Sequence, residues 1–412
     1  MPDELRTTCC VAGGGPAGLM LGMLLARAGV DTMVLEKHVD FLRDFRGDTI
    51  HPSTLEMMHE LGWLDDFLKL PHQKVDKLNA YFGQRQLVLA DLRHLPSRCG
   101  FIAMMPQWDF LDFLADRAKR YPSFRLMMKA KAKRLVATDG KVAGLDVDTE
   151  TGRIRIRADL VVAADGRHST LRAGALLSAR DLGAPMDVFW FRLPRHASDT
   201  EETAGRFGVG HILVMLNRGD YWQCALVIPK GGADALRAQG LDRVRRSIVE
   251  LAPFMADRVD QIADWDQLKL LTVTVDRLER WYRDGLLCIG DAAHAMSPIG
   301  GVGVNLAVQD AVAAANILWK PLRERAVTTD RLRAVQERRE FPTRATQRLQ
   351  LAIQNQIIFR ALKGQTQVEP PFVMRLLTSV PLLDRVPARL LGLGVRPEHI
   401  SSPELPPVSA KS

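Results

Sequence analysis

Apolar positions recur in this chain with two periods. TTCCVAG, from Thr7 to Gly13, is short and β-prone. GGGPAGLMLGMLLARAG, from Gly13 to Gly29, opens on glycines, turns apolar at helical spacing and ends on a glycine cap. VDTMVLE, from Val30 to Glu36, is β-prone again. The pattern predicts strand, glycine turn, helix, strand, which is a βαβ unit.

A different texture starts near Leu70. KLNAYFGQRQLVLADL, Lys77 to Leu92, reads as strand material outside a parallel sheet, and MPQWDFLDFLADRAKR, Met105 to Arg120, as a helix with one apolar face. AKAKRLVATD, KVAGLDVDTETG and RIRIRADLVVAADG follow, separated by turn signals at Asp139-Gly140 and Thr151-Gly152, and predict a β-meander. Its last run, DLVVAADG, has the character of a buried parallel strand. DVFWFRL, HILVML and YWQCALVIP predict a second sheet between about Pro185 and Thr274, interrupted by the helix GLDRVRRSIVELA. GLLCIGDAAHAM, Gly285 to Met296, returns to a buried strand, and a long helix is expected from about Val304 to Trp319. The remainder reads as helical, with prolines at Pro342, Pro370, Pro371, Pro381 and Pro387, and a tail from Ser401.

The chain has 412 residues, 47% of them hydrophobic and 25% charged, as in an ordinary globular protein. Its net charge of +8 fits an arginine-rich surface or the attraction of anionic ligands. The basic residues are scattered, so nucleic acid is not an expected partner. Five cysteines without a CxxC pair point to reduced thiols and a cytoplasmic location. No signal peptide or uninterrupted membrane span is read from the sequence.

Three segments carry chemistry. Gly13-Gly14-Gly15-Pro16-Ala17-Gly18 is a GxGxxG at a strand-to-helix turn. Gly13 allows the turn, Gly15 lets the backbone approach a pyrophosphate, and Gly18 lets helix and strand pack closely. The helix N-terminus offers free N–H groups to phosphate. Glu36 ends the next strand, 18 residues after Gly18, where a carboxylate meets ribose hydroxyls; the plain alternative is a solvated strand-end charge. Asp165-Gly166 ends a buried strand, where α/β sheets bind ligands, though a simple Asp-Gly turn reads the same way. GDAAHAMSPIGGVGVNLAVQDA, Gly290 to Ala311, places Asp291 at a strand end, then Gly300, Gly301 and Gly303, then a helix near Asn305. A flat ring could lie against that glycine loop, with the helix N-terminus favouring negative charge on it.

The three motifs, in this order and at these separations, resemble the single-component flavoprotein hydroxylases, of which para-hydroxybenzoate hydroxylase and the ubiquinone-biosynthesis hydroxylases are familiar members. The resemblance runs from Thr7 to Asn316. It implies an α/β fold: a glutathione-reductase-type FAD-binding Rossmann domain with an inserted β-meander, a substrate-side β-sheet domain and a C-terminal helical region. The expected divisions are 1–70, 100–180 and 275–325 for the FAD domain, 71–99 and 181–274 for the substrate domain, and 326–412 for the helical region and tail.

The resemblance further implies noncovalent FAD, with adenine near Glu36 and the flavin near Pro298 to Asn305. Its cofactor-binding set is Gly13, Gly15, Ala17, Gly18, Glu36, Arg46, Gln107, Asp165, Gly166, Asp291, Gly301, Gly303, Val304 and Asn305. Arg46 and Pro298 would border the reacting centre. NADH or NADPH would reduce the flavin, O2 would add to give a C4a-hydroperoxide, and an electron-rich, aromatic small molecule would take the distal oxygen. The last loop departs from the Gly-Gln-Gly of many relatives, reading Gly301-Val302-Gly303. No metal-ligand spacing or GxSxG motif is present.

Flavin reductases and halogenases share the scaffold, but the Trp-x-Trp-x-Ile-Pro signature of a tryptophan-type halogenase is missing. A non-catalytic binding protein on the same fold is the other alternative. His294 reads as structural, His51 and His168 as solvated loop residues. Phe189, Trp190, Phe191 and Trp222 read as core more than pocket. Phe372 to Arg396 could lie on a membrane surface, but a helix pair packed on the FAD domain is the favoured reading.

Overall fold

A computed structural model describes residues 4–42, 48–364, 369–370 and 385–406. The central sheet has eight strands. Its parallel core runs Leu286–Cys288, Gly152–Ala163, Glu4–Ala12, Thr32–Leu35 and Phe124–Met127. The strands at its heart (VVA of Val161–Ala163 and CCVA of Cys9–Ala12) are buried on both faces. That is why they read as apolar runs without alternation. The meander strand Lys141–Thr149 pairs antiparallel with the early half of Gly152–Ala163, and Lys131–Thr138 pairs antiparallel with Lys141–Thr149.

The first helix, Pro16–Arg27, buries every residue from Ala17 to Ala26. It packs between the sheet and the long helix Gly303–Arg323. That long helix is apolar and long enough to cross a membrane, but 78% of its apolar window is buried inside the protein. Its composition is that of a core helix.

The second sheet has seven strands, in the order Lys269–Leu271, Met186–Pro194, Tyr221–Pro229, Ile212–Asn217, Ala204–Phe207, Lys77–Phe82 and Arg85–Asp91. Alternation along its strands sorts the aromatic residues. Phe189, Phe191 and Trp222 join the cluster under the helix Leu241–Leu251. Trp190 points the other way, into a cluster with Val214, Ala225, Val227 and Ile299. Gln73–Val75 pairs with Ile102–Met104, which also pairs Thr49–Ile50, in a separate three-stranded sheet.

The helix Thr329–Ile353 passes through Pro342 without ending. The described part of the tail, Ser401 to Pro406, is held against the ends of the first and long helices rather than free. Arg27 Nη1 donates to the Ser402 carbonyl at 2.7 Å, and the Leu405 N–H donates to the Arg27 carbonyl at 2.9 Å. The second contact occupies one of the carbonyls that the end of the first helix leaves unsatisfied. Much of Phe372 to Arg396 lies outside the described residues. Its last part forms a helix, Arg385–Gly392, beginning two residues before Pro387.

Candidate cofactor and active site

The glycine turn is built by close approach. Gly13 has φ +113°, and a Cβ there would run into the Ala164 carbonyl; a Cβ on Gly18 would run into the Gly13 carbonyl. Around Gly15, by contrast, nothing lies within 4 Å of the position a Cβ would take. Gly13 and Gly18 are therefore glycine for packing, and Gly15 leaves open space beside a helix N-terminus that no side chain caps. Space together with free N–H donors is what a pyrophosphate needs.

Glu36 is not a solvated strand-end charge: it is 8% exposed. Its Oε2 accepts from the Gly14 N–H at 3.1 Å and its Oε1 from the His38 N–H at 3.0 Å. The carboxylate thus braces the glycine turn.

Gly290 has φ +58°, and a Cβ there would touch Ala17 at 3.1 Å and Ala307 at 3.3 Å. The Gly290-Asp291 turn is thereby wedged between the first and long helices, which sets Asp291 beside the glycine turn. Asp291 is partly exposed, and Arg167 Nη2 reaches it at 3.5 Å, a loose contact that leaves the carboxylate available. Asp165 behaves otherwise. Its Oδ2 accepts from the Thr170 and Leu171 N–H groups at 2.9 and 3.3 Å, bracing the first turn of the short helix Thr170–Gly174 that Ser169 caps, while its Oδ1 is buried without a partner. Gly166 follows with φ +87° and open space.

These placements separate the two aspartates experimentally. Asp291→Ala is expected to weaken FAD binding by about 1.5–3 kcal/mol, roughly 10- to 150-fold. Asp165→Ala is expected to lower unfolding stability by about 1 kcal/mol with a smaller loss of affinity. Flavin fluorescence titration and urea unfolding read the two effects; the reverse ranking would exchange their roles.

The loop after Asp291 is held from both sides. From one side, Thr49 Oγ1 donates to the Gly301 carbonyl at 2.7 Å, in a loop where Gly300 and Gly301 have φ +75° and +63°. Pro298 precedes a short 3-10 turn, and its carbonyl accepts the Gly301 N–H. No side chain caps the long helix that starts at Gly303, so its first-turn N–H groups have no side-chain acceptor. The Asn305 side chain is occupied: it accepts from the His51 N–H and Thr54 Oγ1 and donates to the Thr49 carbonyl, at 2.9, 2.7 and 3.1 Å. Any contact of Asn305 with a cofactor is left to its backbone.

From the other side come three glutamines that the sequence reading missed. Gln347, Gln350 and Gln354 are all buried on the helix Thr329–Ile353 and its continuation. Gln350 accepts the Ser297 N–H and donates to the Ser297 and Ile299 carbonyls; Gln347 donates to the Asp276 and Ala295 carbonyls; Gln354 donates to Ser297 Oγ. A polar stripe at i, i+3 and i+7 was the available signal.

His294 is structural. Its Nε2 meets Asp310 Oδ2 at 2.6 Å, and Asp310 Oδ1 accepts from Arg339 Nε at 3.0 Å. Arg339 continues to Glu398 at 3.2 Å. Burial alone would raise the Asp310 carboxyl, but His294 and Arg339 outweigh it and hold it below the ordinary range. The Gly290 N–H also donates to Asp310, so this network supports the turn carrying Asp291. His51 is fully buried, not solvated, whereas His168 is exposed. All five cysteines are buried free thiols, and burial pushes each upward, Cys10 to about 12. None is a nucleophile at neutral pH. Gln107 opens the helix Gln107–Ala118, which also lacks a side-chain cap. Arg46 lies outside the described residues.

The donors, spaces and glycines fit an extended FAD. Comparison with known proteins agrees. Residues 6–349 match the family model described as FAD binding domain. The chain is 34% identical over 389 residues to 6-methylpretetramide 4-monooxygenase of Streptomyces rimosus, covering 94% of this chain and 91% of that protein. It is 28% identical to rifampicin monooxygenase of Rhodococcus hoagii over 75% of this chain, and spans 62% of that protein's length. The fold matches OxyS anhydrotetracycline hydroxylase from Streptomyces rimosus with a TM-score of 0.72 at 21% identity, covering 96% of this chain and 77% of that one. A family match across most of the chain, and a relative similar over nearly its whole length, make this protein a member of the FAD-binding-domain family and an FAD-dependent monooxygenase.

Proposed function

We propose that this chain uses NADH or NADPH and O2 to hydroxylate an electron-rich aromatic compound, with 6-methylpretetramide, named for the 34%-identical relative, as the first candidate. One observation carries the aromatic reading. The glycine loop meets an apolar face: Ile299 packs with Trp190, Val214, Ala225 and Val227, and Val302 shares Leu391 with Leu216. FAD, when bound and reduced, supplies the oxygen transfer.

The chain's own residues bind, orient and exclude water. The Gly13–Gly18 turn and the first helix hold the pyrophosphate, Glu36 the ribose, and Asp291 a ribityl hydroxyl. The N-terminus of the long helix favours negative charge at the ring by up to ~2 kcal/mol where partly buried. The apolar face keeps water from the reacting centre. Arg46 and Pro298 retain their assigned places beside the ring as part of this proposal, as do Gln107 and Gly166 along the cofactor. The buried, unpaired cysteines support a reducing, cytoplasmic setting.

The test is turnover of 6-methylpretetramide with NAD(P)H under labelled O2. One labelled oxygen in the product is expected. Product formed equally well under argon would make the enzyme a reductase, and a halogenated product in the presence of halide a halogenase. Label incorporation only with a different phenol would correct the substrate alone.

A further inference from the structure

A buried relay of polar contacts joins the seven-stranded sheet to the glycine loop. Gln223 follows Trp222 and precedes Cys224, both of which face the helix-covered core, so its side chain lies on the opposite face, with Ala225 and Ile299. Its Oε1 accepts from Arg218 Nε at 3.0 Å. Arg218 occupies the turn between Ile212–Asn217 and Tyr221–Pro229, and its Nη2 lies 2.6 Å from the Asp48 carboxylate. That contact is off-axis for a hydrogen bond, and Nη1 has no partner although both atoms are buried. Burial raises the Asp48 carboxyl, against the opposing influence of Arg218, the Gln223 side chain and the Gln107 backbone. The next residue is Thr49, whose Oγ1 donates to the Gly301 carbonyl and whose own carbonyl accepts from Asn305, at 2.7 and 3.1 Å.

We propose that Gln223, Arg218, Asp48 and Thr49 form a positioning relay, through which the inner face of the sheet sets the glycine loop Gly300–Gly303. The consequence for the flavin rests on the reading above, in which that loop borders the ring. Stability alone does not account for the pair. A buried ion pair offsets its desolvation only in excellent geometry, and well-packed apolar side chains of similar size often hold a fold as well. Here Arg218 and Asp48 are 4% and 10% exposed, yet one guanidinium nitrogen is left unmet. Such a pair contributes orientation more than net stability. It also has a second arrangement within reach, because any acceptor brought to Arg218 would relieve the unmet donor. A ligand oxygen arriving at the inner face would act on Gln223 first, then on Arg218 and Asp48, and so on the strand that fastens Gly301.

The experiment compares Arg218→Met/Asp48→Asn, which removes both charges together, with Thr49→Val and with the triple variant. Amide hydrogen exchange of the segment 296–306 is read in FAD-free and FAD-loaded protein, and the visible circular dichroism of bound FAD is read alongside. The paired variant is expected to raise exchange in 296–306 about tenfold although Thr49 is intact. Adding Thr49→Val should raise it little further, since contacts along one relay are not additive. Arg218→Lys keeps a charge for Asp48 but loses the Gln223 contact. It should give an intermediate response, and it stands in if the paired variant does not fold. Faster exchange confined to 212–223, or effects of the paired variant and Thr49→Val that simply add, would overturn the relay. Faster exchange in 296–306 with unchanged flavin dichroism would support the relay and count instead against placing the flavin on this loop.

Discussion

Gly15→Val is expected to leave the protein folded, with near-normal stability, and to weaken FAD binding by about three orders of magnitude, roughly 4 kcal/mol. The added Cβ meets no atom within 4 Å and Gly15 has φ −76°, so neither contact nor backbone opposes the side chain. It does fill the space beside the uncapped N–H groups of the first helix, where the pyrophosphate is proposed to lie. Gly18→Ala, one turn later, should fail differently. Its Cβ would run into the Gly13 carbonyl, so the helix must move from the strand. Overpacking of this kind costs about 1–3 kcal/mol or more in stability, and the loss of FAD follows from the damage. Thermal unfolding of the FAD-free proteins separates the two, and flavin fluorescence titration gives the affinities. A Gly15 variant that binds FAD normally would mean the pyrophosphate lies elsewhere.

That contrast marks how far the sequence could be read. The GxGxxG spacing told that glycine was required at these positions, and strand, turn and helix followed from local periodicity. The meander was legible because its turns are Asp-Gly and Thr-Gly pairs between β-prone runs. The motif could not tell which glycine serves packing and which leaves room, since that depends on Ala164, 151 residues after Gly13. The aromatic residues of Met186–Pro194 were legible as core, but not which of them lie on the face that meets the glycine loop. That follows from the helix Leu241–Leu251 covering one side of the sheet.

Long-range polar pairs were the least legible. Asp48 and Arg218 carry no local pattern, and Asp310, Arg339 and Glu398 look like surface charges until three separate segments bury them. Asp165 reads as a ligand-side acid because its strand end resembles a binding motif; in the structure one of its oxygens accepts from the first turn of the following helix, and the other is buried without a hydrogen-bond partner. The segment from Ser401 to Pro406 reads only as a tail because most of its contacts are made by its backbone, to Arg27, Asn316 and Arg323, which carries no sequence signal.

Stability should fall as pH drops from about 6.5 to about 4, and His51→Gln should flatten part of that slope. Burial lowers the His51 imidazole from 6.5 to about 4, with the Leu391 and Gly300 carbonyls opposing the shift. Its Nδ1 lies 2.8 Å from the Leu391 carbonyl, and its N–H donates to Asn305, so it stands between the last helix and the glycine loop. In the folded protein the ring is neutral throughout this window. The unfolded chain takes up a proton near pH 6.5, and the proton favours unfolding. The contribution is therefore complete above pH 6.5 and is lost progressively as pH falls to about 4. A shift of this size corresponds to roughly 3 kcal/mol. Glutamine can still donate to the Leu391 carbonyl but cannot titrate, so the variant should be slightly less stable at pH 7.5 and relatively more stable at pH 4.5. Urea unfolding at those two values gives the difference. Parallel slopes for the two proteins would show that His51 is protonated in the folded state, and that the glycine loop accommodates its charge.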